Sequence, residues 1–132
     1  MDSRCSVQCG QSGTIVTLLD SNIVIYTIAG KIIPLPPADY VISAITVVEC
    51  LGFTGLSSEE VVAFQQFFSA VRVLHTDDQI LAAATQLMKS YGLRVPDAII
   101  LGTTQAYGAD LLSNDSNLSR IREVDVRKVP WA

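Results

Sequence analysis

The sequence has little basic charge and no long apolar segment. Nine Lys and Arg residues stand against 13 Asp and Glu residues, which gives a net charge of -4. An acidic chain does not bind nucleic acid through a broad basic surface, although a bound metal and a local basic patch can hold it. The best apolar run, near residues 45–53, is interrupted by Glu49 and falls short of the ~18 residues that span a bilayer. We therefore expect no membrane association.

Cysteine and histidine are also scarce, with three Cys residues and a single His, His75. A structural zinc site needs four ligands, so we discount one here. A low cysteine count in a chain without a secretory signal is typical of a cytoplasmic protein whose thiols are reduced. The opening stretch, MDSRCSVQCGQSGT, lacks the apolar segment of a signal peptide. We interpret residues 1–14 as a disordered leader or N-terminal extension, followed by one domain over residues 15–132.

Two phosphate-binding glycine motifs are missing as well. The chain contains neither G-x-x-x-x-G-K-[ST] nor G-x-G-x-x-G, which argues against a nucleotide-binding protein or another unrelated doubly wound domain. A haloacid-dehalogenase-like phosphatase would begin with D-x-D, and Asn22 stands at the third position of that motif.

What the sequence does contain is an alternation of strand-like and helix-like segments. Short runs rich in β-branched residues predict strands, and apolar residues at helical spacing predict helices. Such alternation predicts an α/β fold with a parallel sheet and helices on both faces, in which sites form beyond the carboxyl ends of the strands. Ser21 or Asn22 is the expected cap of the first helix. The predicted strands are 15–19, 41–43, 71–74, 110–113 and 124–129, and helices include 23–29, 44–51 and 97–107.

Four acidic residues lie in apolar surroundings that a merely solvated acid would not need. Asp20 and Asp115 each follow a predicted strand, so both lie at the carboxyl edge of the sheet. Glu49 interrupts an apolar helix, and Asp97 opens a buried one. Carboxylates gathered in one pocket need a counter-charge. A hard divalent cation such as Mg²⁺ supplies it and favours phosphoryl chemistry.

From about residue 15 to the C-terminus, the chain resembles a PIN domain, and most closely a VapC-type toxin ribonuclease of a toxin–antitoxin system. Four blocks follow the family's order: LLDSNIVIY, ISAITVVECLGF, LRVPDAIILGTTQAYGADLL and SNDSNLSRI. They carry the four acids named above. Any one block is weak, whereas four blocks in order at suitable spacing form a specific pattern.

The resemblance implies a three-layer fold whose five-stranded parallel sheet has the order 3-2-1-4-5. It implies that Asp20, Glu49, Asp97 and Asp115 bind Mg²⁺ or Mn²⁺ and that the protein hydrolyses RNA, leaving a 5′-phosphate and a 3′-hydroxyl. It also implies a cognate antitoxin as partner and a homodimer. Asn22 and Ser113 would orient the carboxylates by hydrogen bonding. Whether Glu49 is a ligand or the general base stays open.

The chain departs from the family at Asn117, where many members carry a further aspartate. Asparagine can still cap the next helical turn, but it is a poorer metal ligand and argues against a second metal. Arg94 is a candidate contact for RNA phosphate, with a solvated arginine as the alternative. A catalytically silent PIN-fold module that binds RNA or protein is the second functional hypothesis, and the presence of all four acids argues against it.

Overall fold

A computed structural model of the protein describes residues 16–132, so the expected leader at residues 1–14 lies outside the described residues. Within the described part of the chain, no helix combines the length and apolarity that crossing a membrane requires. The strands are β1 (Thr17–Leu19), β2 (Tyr40–Ser43), β3 (Arg72–Leu74), β4 (Asp110–Leu112) and β5 (Asp125–Arg127). The helices are α1 (Ser21–Ala29), α2 (Ala44–Leu51), α3 (Ser58–Ala70), α4 (Asp78–Tyr91) and α5 (Val95–Ala106), and a 3₁₀ turn spans Leu118–Arg120.

The five strands form one parallel sheet in the order β3-β2-β1-β4-β5, as predicted. β1 lies in the centre, and its last residue, Leu19, pairs with Leu112 at the end of β4. The residues that follow these two strands are therefore neighbours, although they are far apart in sequence. Because all five strands are parallel, their carboxyl ends share one edge, where sites form in such sheets.

Two apolar layers cover the two faces of the sheet. On one face, Leu18 and Leu111 pack with residues of α4 and α5. On the other face, Leu19 and Leu112 pack with residues of α1 and α3 and with Cys50 of α2. The alternation of neighbouring strand residues between the two layers follows from the period-two geometry of a strand. The three-layer α/β prediction is thereby confirmed.

Helix boundaries differ from the prediction at two points that concern the site. Asp20, not Ser21 or Asn22, is the N-cap of α1, and its carboxylate accepts a hydrogen bond from the Ser21 backbone N–H. The helix predicted to begin at Asp97 begins at Val95, with Pro96 inside its first turn. A proline is tolerated there because the first backbone N–H groups of a helix have no intrahelical partner.

Candidate active site at the carboxyl edge of the sheet

Asp20 is held at the centre of the sheet edge by hydrogen bonds to both carboxylate oxygens. The Ser21 backbone N–H donates to Oδ1 at 2.8 Å, and the Ser113 hydroxyl donates to Oδ2 at 2.7 Å. Asp20 is only 6% exposed and Ser113 is fully buried. The carboxylate is thus fixed from its own helix and from the end of the neighbouring strand, β4.

The pKa of Asp20 is raised above its ordinary value, and burial is the largest cause. The hydrogen bonds from Ser113 and Ser21 oppose this rise because they favour the charged carboxylate. The negative charges of Asp97 and Asp115 raise the pKa further. The fold therefore brings Asp97 and Asp115 within electrostatic range of Asp20, and the resulting excess of negative charge favours binding of a cation.

Ser113 also connects Asp20 with Asp115. While its hydroxyl donates to Asp20, the same oxygen accepts a hydrogen bond of 3.1 Å from the Asp115 backbone N–H. The Asp115 carboxylate, which is exposed, accepts a hydrogen bond of 2.9 Å from the Asn117 backbone N–H. The Asn117 side chain makes no capping hydrogen bond to the 3₁₀ turn. One buried serine therefore sets the spacing of two acids from different segments.

Glu49 reaches the site through hydroxyl groups. The Ser21 hydroxyl donates to Glu49 Oε1 at 2.6 Å and lies 3.0 Å from the Thr46 hydroxyl. Ser21 is the residue next to Asp20, so Glu49 of α2 is tied to the first turn of α1. Asn22 is exposed in that turn, and no side-chain hydrogen bond of Asn22 is found among residues 16–132.

Asp97 lies in the first turn of α5, where a carboxylate is stabilised by the helix dipole. A guanidinium nitrogen of Arg94 lies 3.5 Å from Asp97 Oδ2, although the Arg94 side chain is 81% exposed. Such an exposed pair contributes little to stability. Arg94 therefore lies beside Asp97, and most of its guanidinium donors face solvent.

Cys50 is a buried free thiol next to Glu49. Burial raises the pKa of the Cys50 thiol to about 12, and the charges of Glu49 and Asp20 contribute to the rise. The thiol is therefore protonated at neutral pH and is neither a nucleophile nor a soft metal ligand. Glu49 and Asp20 thus both lie within electrostatic range of the Cys50 thiol.

The donor atoms at this edge suit a hard cation. Carboxylate oxygens are what Mg²⁺ and Mn²⁺ prefer, and Mg²⁺ in proteins keeps several waters while using one or two carboxylates. Within residues 16–132, no three or more Asp, Glu, His or Cys side chains are gathered into a ready-made metal cluster. The acids therefore fit a hydrated ion bound at Asp20 and its neighbours better than a closed shell of protein ligands.

Two side chains at the site were missed from the sequence. Ser21 was considered only as a helix cap, and Thr46 was given no role although it lies in the block that carries Glu49. The available signal was the Thr46-x-x-Glu49 spacing, because residues three apart lie on the same face of a helix. The contact between Thr46 and Ser21 depends on the approach of α2 to α1, which spacing along the chain does not reveal.

Replacing Ser113 with alanine is expected to cost about 1–3 kcal/mol in the free energy of unfolding, because Asp20 and the Asp115 N–H both lose a partner. The Ser113 hydrogen bond lowers the pKa of Asp20, so the cost is larger at alkaline pH, where the carboxylate is ionised, than at acidic pH. Urea unfolding across pH measures this difference, and Ser119→Ala in the exposed 3₁₀ turn is the control. Equal losses for the two variants would contradict the prediction.

Comparison with known proteins agrees with this fold. The sequence profile of the PIN domain family matches residues 17–124. A comparison with curated protein sequences finds no match. The matched range includes β1 and the acids at positions 20, 49, 97 and 115. The chain thus has the α/β architecture of a PIN domain with acids at the carboxyl edge of its sheet, and it belongs to the PIN domain family.

Several solved structures with similar folds come from VapBC or toxin–antitoxin complexes. The chain resembles one in VapBC2 of Rickettsia felis bound to a promoter DNA fragment, with a TM-score of 0.72 and 18% identity over 89% of this chain and 100% of that one. A chain of DNA-bound VapBC from Salmonella typhimurium gives a TM-score of 0.73 and 20% identity, covering 86% and 98%. A toxin–antitoxin complex from Klebsiella pneumoniae gives 0.65 and 27%, covering 82% and 94%. The expected likeness to VapC-type PIN domains is confirmed.

Proposed function

We propose that this PIN domain is a metal-dependent endoribonuclease and the toxin of a toxin–antitoxin pair. The observation that carries the proposal is the buried carboxylate of Asp20, which is fixed by Ser113 and lies within electrostatic range of Asp97 and Asp115. Such an excess of negative charge at the carboxyl edge of a parallel sheet is costly unless a cation offsets it. Membership of the PIN domain family and the VapBC-like fold support the same reading.

In the proposed reaction, water attacks the phosphorus of an RNA phosphodiester, the bond to the 3′-oxygen breaks, and that oxygen takes up a proton. The products are a 5′-phosphate and a 3′-hydroxyl. A Mg²⁺ or Mn²⁺ ion held by Asp20, Asp97 and Asp115, directly or through water, would neutralise phosphate charge and lower the pKa of water. Glu49 either completes the binding of the ion or accepts the proton of the attacking water.

The direct test is cleavage of total cellular RNA by the purified chain with Mg²⁺, with Mn²⁺ and with EDTA. We expect cleavage that requires the metal and that falls by roughly 10²-fold or more in Asp115→Asn. The matched control is Asp125→Asn, which removes an exposed carboxylate at the start of β5, the opposite end of that strand from the site. Metal-independent cleavage, or equal activity of the two variants, would contradict the proposal.

A catalytically silent PIN-fold module that binds RNA or protein is the alternative. It predicts no cleavage by folded, antitoxin-free protein in any metal while RNA or partner binding persists. The fixed hydrogen bonds at Asp20 favour the nuclease, because a silent module would gain nothing from holding a buried carboxylate among other acids.

Arg94 is proposed to contact the RNA phosphate. Replacing it with alanine is expected to raise KM for a short RNA about three- to tenfold with little change in kcat, since phosphate contacts mainly supply affinity. The effect should weaken at high salt, because exposed charges are screened. Arg72→Ala, an exposed arginine on the edge strand β3, is the control. A fall in kcat with unchanged KM would instead point to the pair with Asp97 as the function of Arg94.

The proposed partners are a cognate antitoxin and a second copy of the chain. Neighbouring structures include toxin–antitoxin complexes. Large apolar side chains are exposed on the α2–α3 segment, among them Val48 and Phe53 at 68% and 69%. Exposed apolar side chains of this size commonly mark protein interaction surfaces. With RNA as the proposed substrate and the buried Cys50 a free thiol, we propose that the protein acts in the cytoplasm.

A further inference from the structure

Two buried hydroxyl groups lie behind Glu49, one of the two exposed acids of the four. Thr46 is fully buried and Ser21 is 7% exposed, whereas Glu49 is exposed on the surface of α2. The Ser21 oxygen lies 3.0 Å from the Thr46 hydroxyl and 2.6 Å from Glu49 Oε1. The three groups form a continuous chain of hydrogen bonds from the protein interior to the site.

The number of hydroxyl protons determines which group donates in each of these hydrogen bonds. A serine hydroxyl has one proton, and a carboxylate can only accept. The Ser21 proton must therefore point to Glu49, because otherwise two oxygen lone pairs would face each other at 2.6 Å. It follows that Thr46 donates to Ser21, so the order is Thr46 to Ser21 to Glu49.

The position of Thr46 in its helix leaves its proton available for this purpose. The other four threonines in the described helices donate to the backbone carbonyl four residues earlier, at distances of 2.6–2.8 Å. Thr46 is the third residue of α2, so the residue four positions earlier, Ile42, belongs to β2 rather than to a helix. Its hydroxyl is bonded to Ser21 instead.

We propose that Thr46 and Ser21 are positioning residues that orient the Glu49 carboxylate toward the other acids, an inference that rests on the proposed nuclease function. An exposed glutamate has several rotatable bonds and loses considerable freedom when held in one orientation. A hydrogen bond to a charged acceptor is strong enough to hold it. Because this chain of hydrogen bonds ends on Glu49 Oε1, Glu49 Oε2 is left to bind the ion or water.

The first test is removal of the Thr46 hydroxyl without a change of shape. Thr46→Val is expected to lower kcat for RNA cleavage about 10- to 100-fold with little change in KM, the range found when groups behind metal ligands are removed. Thr46→Ser keeps a hydroxyl and should retain activity within about threefold. The matched control is Thr104→Val, since Thr104 is equally buried but donates to the Ile100 carbonyl.

A second readout does not depend on catalysis. Calorimetric titration with Mn²⁺ should show an affinity about tenfold lower for Thr46→Val than for Thr104→Val. The valine substitution should also have no further effect when Glu49→Gln is already present. Equal behaviour of Thr46→Val and Thr104→Val in both cleavage and Mn²⁺ binding would overturn the proposal.

If the wild-type protein neither cleaves RNA nor binds Mn²⁺, the proposed function fails. The coupling between Thr46, Ser21 and Glu49 is then tested by thermal stability alone. The Tm changes of Thr46→Val and Glu49→Gln should differ from additivity by roughly 2 °C or more, because residues in one hydrogen-bond chain are coupled. Additive Tm changes would show that the three groups do not act together and would overturn the inference.

Discussion

Replacing Asp20 with asparagine is expected to abolish RNA cleavage while making the metal-free protein more stable. Activity should fall by roughly 10³-fold or more, because a neutral amide cannot offset the charge of a cation. Stability should rise by about 1 kcal/mol, a Tm increase of roughly 3–5 °C, because a buried charge beside two other acids is removed. Asparagine can still cap α1 and bond to Ser113.

The stability gain should depend on pH in a defined direction. Burial, Asp97 and Asp115 together leave the pKa of Asp20 above its ordinary value of about 4. At pH below that ordinary value the carboxyl is neutral in both the folded and the unfolded protein, so its ionisation carries no penalty. As pH rises through the raised pKa, ionisation costs more in the folded state, and wild-type stability falls relative to the variant. The advantage of Asp20→Asn therefore grows from acidic to neutral pH.

Thermal unfolding in EDTA and in Mg²⁺ measures both parts of this prediction. Added Mg²⁺ or Mn²⁺ should raise the Tm of the wild type, since a ligand that binds only the folded state stabilises it, and should leave Asp20→Asn unchanged. Asp125→Asn, with its exposed carboxylate, serves as control. A metal-free Asp20→Asn protein less stable than the wild type at neutral pH would mean that the carboxylate contributes to the fold rather than straining it.

The strand and helix order was predictable because each segment carries its own local signal. α2 was predicted at its observed bounds, Ala44–Leu51, because apolar residues run through that segment on both sides of Glu49. The last strand was predicted too long because apolar residues continue beyond the ladder, as at Val129, which packs into a core layer outside any strand. The fourth strand was predicted one residue too long, at the polar Ser113. A run of apolar residues indicates which residues are buried, whereas the bounds of a strand depend on backbone pairing with the adjacent strand.

The acids of the candidate site were predictable for a related reason. A parallel sheet gathers the ends of its strands at one edge, so Asp20 and Asp115 were expected to be near each other. What holds them was only partly predictable. The cap of α1 was assigned wrongly because Asp20 is fixed by Ser113, a contact between residues 93 apart in sequence. The Ser21–Thr46 contact likewise joins residues of two different helices that are 25 apart in sequence.

Replacing Gly102 with alanine is expected to destabilise the protein by about 1–3 kcal/mol, although the same change in an ordinary helix stabilises by up to ~1 kcal/mol. A Cβ at Gly102 of α5 would lie 2.9 Å from the Ala84 backbone nitrogen and 3.1 Å from the Ile80 carbonyl oxygen of α4. These are backbone atoms of a helix and cannot move alone, so the two helices must separate. Thermal unfolding should show a Tm lower by roughly 4–10 °C.

Moving α5 away from α4 should also displace Asp97, because Asp97 lies in the first turn of α5. We expect weaker Mn²⁺ binding in Gly102→Ala even though Gly102 lies more than one helical turn beyond Asp97. Gly108→Ala is the matched control: Gly108 has a φ of 60° and open space around it, so alanine there costs about 1 kcal/mol through backbone strain alone. It should leave Mn²⁺ affinity unchanged. If Gly102→Ala lowered the Tm but kept full Mn²⁺ affinity, Asp97 would be positioned by its own first turn and not by the packing of α5 against α4.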